Sequence, residues 1–240
     1  MRFALGLFRC LGFRFDLRGA EHIPERGGAV LAANHVSYLD FMFVGLPAHL
    51  RGRRLVRFLA KKSVFDSPLT GRLMRAMGHI PVDRSAGAGA YREAVRALAS
   101  SELVGVFPES TISRSLLPRT LKSGAARMAL AADVPLIPVV VWGGQRLWTA
   151  GRLPRLRRRL PIHVWVDPPI RRSPGDAPDT LTQALAVRLD AMVEEVISRY
   201  PKPTKPGAWW LPARAGGSAP APELAAAAEL AAIAGHRRRR

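Results

Sequence analysis

Short apolar runs alternate with polar, glycine- and proline-bearing stretches along most of this chain. Residues 29–33 and 103–106 are continuously apolar, the pattern of strands buried on both faces. Pro108 closes the second run, because proline cannot continue a central ladder. Residues 134–141 read as a strand entered through proline. Phe13, Phe15 and Leu17 alternate with Arg14, Asp16 and Arg18, and Ile162, Val164 and Val166 with His163 and Trp165. Both are strand-like with period two.

Helical signals fall between these runs. Leu39 to Val44 can start a helix, Ser67 and Pro68 suit the cap and first turn of one running to Met77, and residues 91–100 and 122–132 read as two more. Gly124 weakens the last of these unless a backbone must come close there. Leu181, Leu185, Leu189, Met192 and Val196 trace one face of a long helix. Residues 86–89 read as a Gly/Ala linker. Strands alternating with helices predict an α/β fold: a mixed, largely parallel sheet covered by helices on both faces.

At 240 residues the chain suits one such domain with tails. We expect the domain over residues 19–200, after an N-terminal amphipathic segment over 1–18. Phe3, Leu7 and Leu11 recur at helical spacing there while Arg2 and Arg9 share another face, which fits a membrane-contact segment or a short helix packed on the core. Residues 201–240 are rich in Pro, Ala and Gly and end in four arginines. They read as an unstructured basic tail, apart from an alanine-rich helix near 223–234.

Charge narrows the choice of partners. Thirty-seven Lys and Arg against 18 Asp and Glu give a formal charge of +19, which calls for a polyanionic neighbour, nucleic acid or an anionic membrane. No run reaches the roughly 18 apolar residues that span a bilayer, and the N-terminus has no clear signal-peptide pattern. The expectation is an uncleaved, cytoplasmic protein. A single cysteine, Cys10, excludes an internal disulfide framework and a cysteine-based zinc site.

The chemistry-bearing residues sit at strand exits, where α/β enzymes present them. Asn34-His35-Val36-Ser37-Tyr38-Leu39-Asp40 follows the first buried strand. A carboxylate beside an imidazole fixes its tautomer and makes it a general base. Ser37 and Asp40 also form a capping box, so Asp40 fits a helix-start role as well. Glu109, Ser110 and Thr111 follow the second buried strand, with Arg114, Arg119 and Lys122 beyond.

Four blocks in order resemble the glycerolipid acyltransferase family, of which the 1-acyl-sn-glycerol-3-phosphate acyltransferases are the best known. They are His35 with Asp40, Gly78-His79-Ile80-Pro81-Val82-Asp83-Arg84, Phe107-Pro108-Glu109 with Thr111, and residues 134–139; Lys122-Ser123-Gly124-Ala125 also fits. The likeness covers about residues 20–170. It departs at Ser110, where the family usually has glycine, at Ile112, where arginine commonly follows the threonine, and at Pro81, in place of an aromatic residue.

The resemblance implies acyl transfer from a thioester to an alcohol by a His35–Asp40 base, with no metal and no bound cofactor. Acyl-CoA or acyl-ACP (acyl carrier protein) is the co-substrate and lysophosphatidic acid the default acceptor; another lysolipid or glycerol 3-phosphate is the alternative. Arg84 is the first choice for the acceptor phosphate, since a guanidinium fork matches phosphate oxygens. Ser110 and Thr111 belong to the same site, and Arg114 or Lys122 could supply the charge Ile112 lacks. Glu109 is expected to hold Arg84 or a neighbouring backbone; Arg84 also fits a plain surface arginine, and Glu109 a capping or salt-bridged carboxylate. Backbone N–H groups near the helix start are the expected oxyanion donors.

Basic clusters at residues 51–62 and 152–159, the latter with Leu147, Trp148, Leu153 and Leu156 interleaved, fit either a surface docking on anionic lipid or a solvated basic face. The expected location is peripheral, on the cytoplasmic face of a membrane. A basic nucleic-acid-binding protein is the rival class, but no zinc-finger spacing or RNP-type aromatic motif supports it. A serine hydrolase would need Ser37 or Ser110 in a Gly-x-Ser-x-Gly elbow, and neither lies in one.

Overall fold

The computed structural model describes residues 2–83, 87–173, 175–201, 203 and 206–228. Seven strands form one sheet: β1 (Arg14–Arg18), β2 (Ala29–Ala33), β3 (Val56–Lys61), β4 (Ile80–Val82), β5 (Leu103–Val106), β6 (Leu136–Trp142) and β7 (Pro161–Val166). Their order is β1-β7-β6-β2-β5-β3-β4. Only the β6–β7 pair is antiparallel, so β2 to β6 all end on one edge of the sheet.

Alternation along β2 explains the layers. Val30 and Ala32 face a core shared with α4 (Gly87–Ala99), α5 (Gly124–Ala131) and α6 (Pro178–Arg199). Ala29, Leu31 and Ala33 face the opposite core, shared with α1 (Arg2–Leu11) and α2 (Asp40–Gly52). Both faces of the central strand are dry, which is why its sequence shows no polar position. The face of α6 expected from Leu181, Leu185, Leu189, Met192 and Val196 is buried as a unit. Another helix, α3 (Pro68–Ala76), follows β3.

The N-terminal and helix-start expectations are refined. Residues 14–18, grouped with the N-terminal segment, form the edge strand β1 of the main sheet, as their period-two alternation predicts, pairing Arg14 with Pro161 through Arg18 with Trp165. Helix α1 packs on the core through Ala4 and Phe8, whose ring lies 5.3 Å from Phe43; the side chains of Arg2 and Phe3 lie outside the described residues. Helix α4 begins at Gly87, within the expected linker, since the first turn has unpaired N–H groups in any case and tolerates glycine. Helix α5 begins at Gly124, which therefore sits at a helix start with open space around it and not at a close approach.

Residues 206–228, expected as part of an unstructured tail, are folded. Strands β8 (Ala208–Pro212) and β9 (Gly217–Ala219) pair, and Trp210, Leu211 and Ala219 join the α6-side core. Trp210 and Leu211 supply apolar area that composition alone understates. Gln145 Nε2 donates to the Trp210 carbonyl at 3.2 Å, tying this segment to the loop after β6. Residues 222–228 are helical, matching the start of the expected alanine-rich helix; residues 229–240, with its second half and the four terminal arginines, lie outside the described residues.

Candidate active site

The exits of β2 and β5 meet at one place. Asn34, buried at the end of β2, donates from Nδ2 to the Val141 carbonyl at 3.2 Å and accepts the Val141 N–H at 2.8 Å. This amide pair continues the β2–β6 ladder by one residue and fixes where the chain leaves the sheet. A tight turn then runs into α2, closed from the far side by Trp148 and Thr149. Ser37 Oγ donates to the Trp148 carbonyl at 2.7 Å, Tyr38 N donates to the same oxygen at 3.2 Å, and Thr149 Oγ1 donates to the Val36 carbonyl at 2.7 Å.

Asp40 is the first residue of α2 and fully buried. Its Oδ2 collects three donors: the backbone N–H of Val36 at 2.8 Å, that of Ser37 at 2.7 Å, and His35 Nδ1 at 3.1 Å. Helix-start bonding and imidazole orientation therefore coexist in one oxygen. With Nδ1–H donating to the carboxylate, Nε2 carries the lone pair. Burial raises the Asp40 carboxyl above the usual carboxylate range, and the bonds from His35, Ser37 and Val36 pull it back. The His35 side chain is 18% exposed, so a substrate can reach it.

Glu109 grips His35 from the other strand. Its Oε1 accepts the His35 backbone N–H at 2.9 Å, and Ser113 N donates to the His35 carbonyl at 2.8 Å. Burial pushes the Glu109 carboxyl up to about 8, against the opposing pull of the His35 amide and the Arg119 charge. Phe107 lies flat on the imidazole, with ring centroids 4.0 Å apart and an interplanar angle of 13°. Phe58 stacks behind Phe107 at 5.2 Å.

The expected oxyanion donors, backbone N–H groups near the helix start, were not assigned to particular residues. Those of residues 35–40 already have acceptors: Glu109 for His35, Asp40 for Val36 and Ser37, Trp148 for Tyr38, and Ser37 for Leu39 and Asp40. The need to bind Asp40 and the β6 loop consumes them. Ser37, buried with its hydroxyl committed on both sides, is not placed as a nucleophile.

The sequence and fold of this region are shared with known proteins. The family model described as "Acyltransferase" matches residues 14–142, more than half of the chain, and that span contains β1 to β6 with His35, Asp40 and Glu109. The chain belongs to the acyltransferase family.

Among relatives, the 1-acyl-sn-glycerol-3-phosphate acyltransferase of Limnanthes douglasii is 36% identical over 165 residues, 66% of this chain and 55% of that protein. The enzyme of the same name from Bacillus subtilis is 29% identical over 150 residues, 60% of this chain and 71% of that one. The chain spans about half the length of the plant relatives it matches. Its fold is that of the crystal structure of the 1-acyl-sn-glycerophosphate (LPA) acyltransferase PlsC from Thermotoga maritima, at a TM-score of 0.70 and 24% identity, covering 84% of this chain and 79% of that one.

Around the acyltransferase turn the expected phosphate residues differ in exposure. Thr111 and Lys122 are exposed in the segment after β5, and Lys122 is anchored by its N–H to the Pro108 carbonyl at 3.0 Å. Arg114 is half-buried, next in sequence to Ser113, with its guanidinium against Gly151. Ser110 adopts φ +62°, a left-handed conformation that glycine takes freely. Ile112 is buried and brings no charge. Arg84 lies outside the described residues.

Glu109 holds the backbone of His35, one of the two partners expected for it. Sequence reasoning missed the parts acting through main chain or over long separations: Asn34, the Trp148 carbonyl, the Phe107 ring and Gly144. A Cβ on Gly144 would lie 3.1 Å from Asp40 Oδ1, from the Phe43 ring and from Ser37 Cβ, so the missing side chain lets the β6 loop pack closely over the carboxylate. The glycine pair directly after an apolar strand was the available signal. Two arginines of the 51–62 basic cluster bond within the fold. Arg54 donates to the carbonyls of Pro24, Gly27 and Ser101, and Arg57 to Gly78, Glu93 and Glu102, at the edge of the sheet opposite His35.

Proposed function

We propose that this protein transfers a fatty acyl group from an acyl thioester to the free hydroxyl of 1-acyl-sn-glycerol 3-phosphate, giving phosphatidic acid. The observation that carries this reading is the buried Asp40 carboxylate oxygen holding His35 Nδ1 at 3.1 Å, on a turn locked by five further hydrogen bonds to Glu109, Ser113, Trp148 and Thr149. The relatives named as acyltransferases of this acceptor support it.

In the reaction, His35 Nε2 removes the proton from the acceptor hydroxyl as its oxygen forms a bond to the thioester carbonyl carbon. Asp40 stabilises the imidazolium that results. Collapse of the tetrahedral intermediate breaks the C–S bond, and the imidazolium returns its proton to the departing sulfur. A thiol has a pKa of about 8.5, so its anion leaves without a stronger acid. A positioned base of this kind contributes about 10²–10⁴ in rate.

In this reading Arg84, Ser110, Thr111, Arg114 and Lys122 meet the acceptor phosphate, while Glu109 acts through the His35 backbone. Acyl-CoA and acyl carrier protein both fit as donors, and no bound cofactor is required. Another lysolipid or glycerol 3-phosphate as acceptor would use the same base. The protein would work peripherally on the cytoplasmic face of a membrane; among the described residues no helix is long and apolar enough to cross one.

The test is thiol release from palmitoyl-CoA by purified protein with and without lysophosphatidic acid, beside His35→Ala. Acceptor-dependent release lost in the variant is expected. Release without acceptor would mark a thioesterase, and nucleic-acid binding surviving His35→Ala in a silent protein would favour the rival class.

A further inference from the structure

The loop between β6 and β7 carries two features with no partner in the fold. Leu147 and Leu160 anchor its ends in the core, yet Leu153 and Leu156 are 84% and 81% exposed. Water-facing leucines at that level, following Trp148 of the half-exposed Trp148–Tyr38 ring pair in the same loop, form an apolar tip the fold does not explain. Arg155, Arg158 and Arg159 are exposed around it, Arg152 lies over the Trp209 ring at 4.1 Å, and no acidic residue occurs between Trp142 and Asp167. The neutralising charge must come from outside the loop.

The geometry points to this loop as the surface by which the protein docks on an anionic lipid bilayer. The leucines enter the acyl region and the arginines meet headgroup phosphates. An acidic protein would satisfy the arginines but leaves two isolated leucines without a hydrocarbon phase; nucleic acid fits them less well still.

The loop's location adds the functional consequence. It leaves from the edge of the sheet where β2 and β5 also end, and the Trp148 carbonyl at its base accepts hydrogen bonds from Ser37 and Tyr38. A bilayer seated on residues 148–159 therefore lies beside the His35 turn. An acceptor anchored by its own acyl chain reaches the base without leaving the membrane. This consequence rests on the lysolipid reading above; the docking itself does not.

The experiment is co-sedimentation of the full chain with vesicles of phosphatidylcholine alone and of phosphatidylcholine mixed with phosphatidylglycerol. Wild type is expected to partition onto the mixed vesicles and to come off with salt. Leu153→Asp/Leu156→Asp is expected to lose on the order of 100-fold in partitioning, and Arg155→Gln/Arg158→Gln roughly 10- to 30-fold. Both pairs lie on exposed positions, and unchanged circular dichroism melting would establish that they fold.

His35→Ala should sediment as wild type does, which separates docking from chemistry. Acyl transfer to a water-soluble short-chain lysolipid should persist in the leucine pair while transfer to bilayer-embedded acceptor falls. Vesicle binding unchanged in both pairs overturns the proposal. So does unchanged vesicle binding with weakened capture of acyl carrier protein, which would make the loop a protein contact. Loss of vesicle binding in the pairs, in a protein that transfers no acyl group to any acceptor, leaves the docking surface standing and removes the enzymatic reading.

Discussion

Glu109 holds His35 by its main chain: the carboxyl Oε1 accepts the His35 backbone N–H at 2.9 Å. The acidic residue of the third block therefore acts as a positioning group for the base, and its charge is not what the bond requires. Glu109→Gln keeps an acceptor at the same place, whereas Glu109→Ala leaves a buried N–H unpaired, a cost of about 1–3 kcal/mol. Glutamine should retain kcat to within about tenfold, and alanine should lose on the order of 10²-fold, the scale of a small misplacement of a catalytic group. Steady-state kinetics of the two variants decide it, and equal losses would contradict the positioning role.

The same burial makes stability depend on pH in a definite direction. Glu109 titrates near 8 in the folded chain against an ordinary value of 4.5. Between those values the folded chain keeps a proton that the unfolded chain has released, so stability falls as pH rises and levels off above about 8. At about 1.4 kcal/mol per unit, the whole window is worth on the order of 3–5 kcal/mol. Glu109→Gln has no such proton. Urea midpoints at about pH 5 and pH 8.5 should show wild type losing ground to the variant as pH rises; parallel curves would mean that Glu109 titrates normally.

Asp40→Asn tests the tautomer. An amide can present its oxygen to Val36 and Ser37 N–H, but its NH2 then faces Nδ1 and favours the imidazole carrying its hydrogen on Nε2. The fold is largely kept and the base is lost. We expect kcat to fall by about 10²–10⁴ with KM little changed, measured at a temperature where circular dichroism shows the variant folded. A comparable KM effect with intact kcat would remove Asp40 from the chemistry.

The strands, the long helix and the two strand exits were legible because each rests on local pattern. Continuous apolar runs can only be central strands here, and His35, Asp40 and Glu109 stand where such runs break. What escaped notice is non-local. The Asn34 amide meets a strand more than a hundred residues away, and the Trp148 carbonyl carries no side-chain signature at all. Residues 206–228 read as tail because alanine, proline and glycine outnumber the aromatic pair Trp209 and Trp210, yet those two rings stack on Arg152 and Arg146 at 4.1 and 4.2 Å. The bonds of Arg54 and Arg57 to carbonyls and carboxylates of distant loops are non-local too, and no composition count reveals them.

Ser110 pays for its position in backbone strain. A non-glycine residue at φ +62° carries about 1 kcal/mol of steric cost, and glycine carries none. Ser110→Gly should raise the Tm by a few degrees, consistent with about 1 kcal/mol in a domain of this size. Ser110→Ala keeps the Cβ and should gain nothing. A gain in alanine matching that in glycine would place the effect in the hydroxyl instead of the backbone.

Gly105 makes room for the ring behind the base. It pairs with Phe58 across β5 and β3, and a Cβ there would lie 2.4 Å from the Phe58 ring. Phe58 stacks on Phe107 and Phe107 on His35, so displacement of the first ring is passed to the imidazole through two face-to-face contacts. Gly105→Ala should cost about 1–3 kcal/mol from overpacking and lower kcat about tenfold or more while leaving KM nearly unchanged. In Gly105→Ala/Phe58→Leu the smaller side chain relieves the clash but removes the backing ring. Stability should recover in the double variant while kcat stays low. Full recovery of both would show that Phe58 only fills space and that Phe107 holds His35 without help.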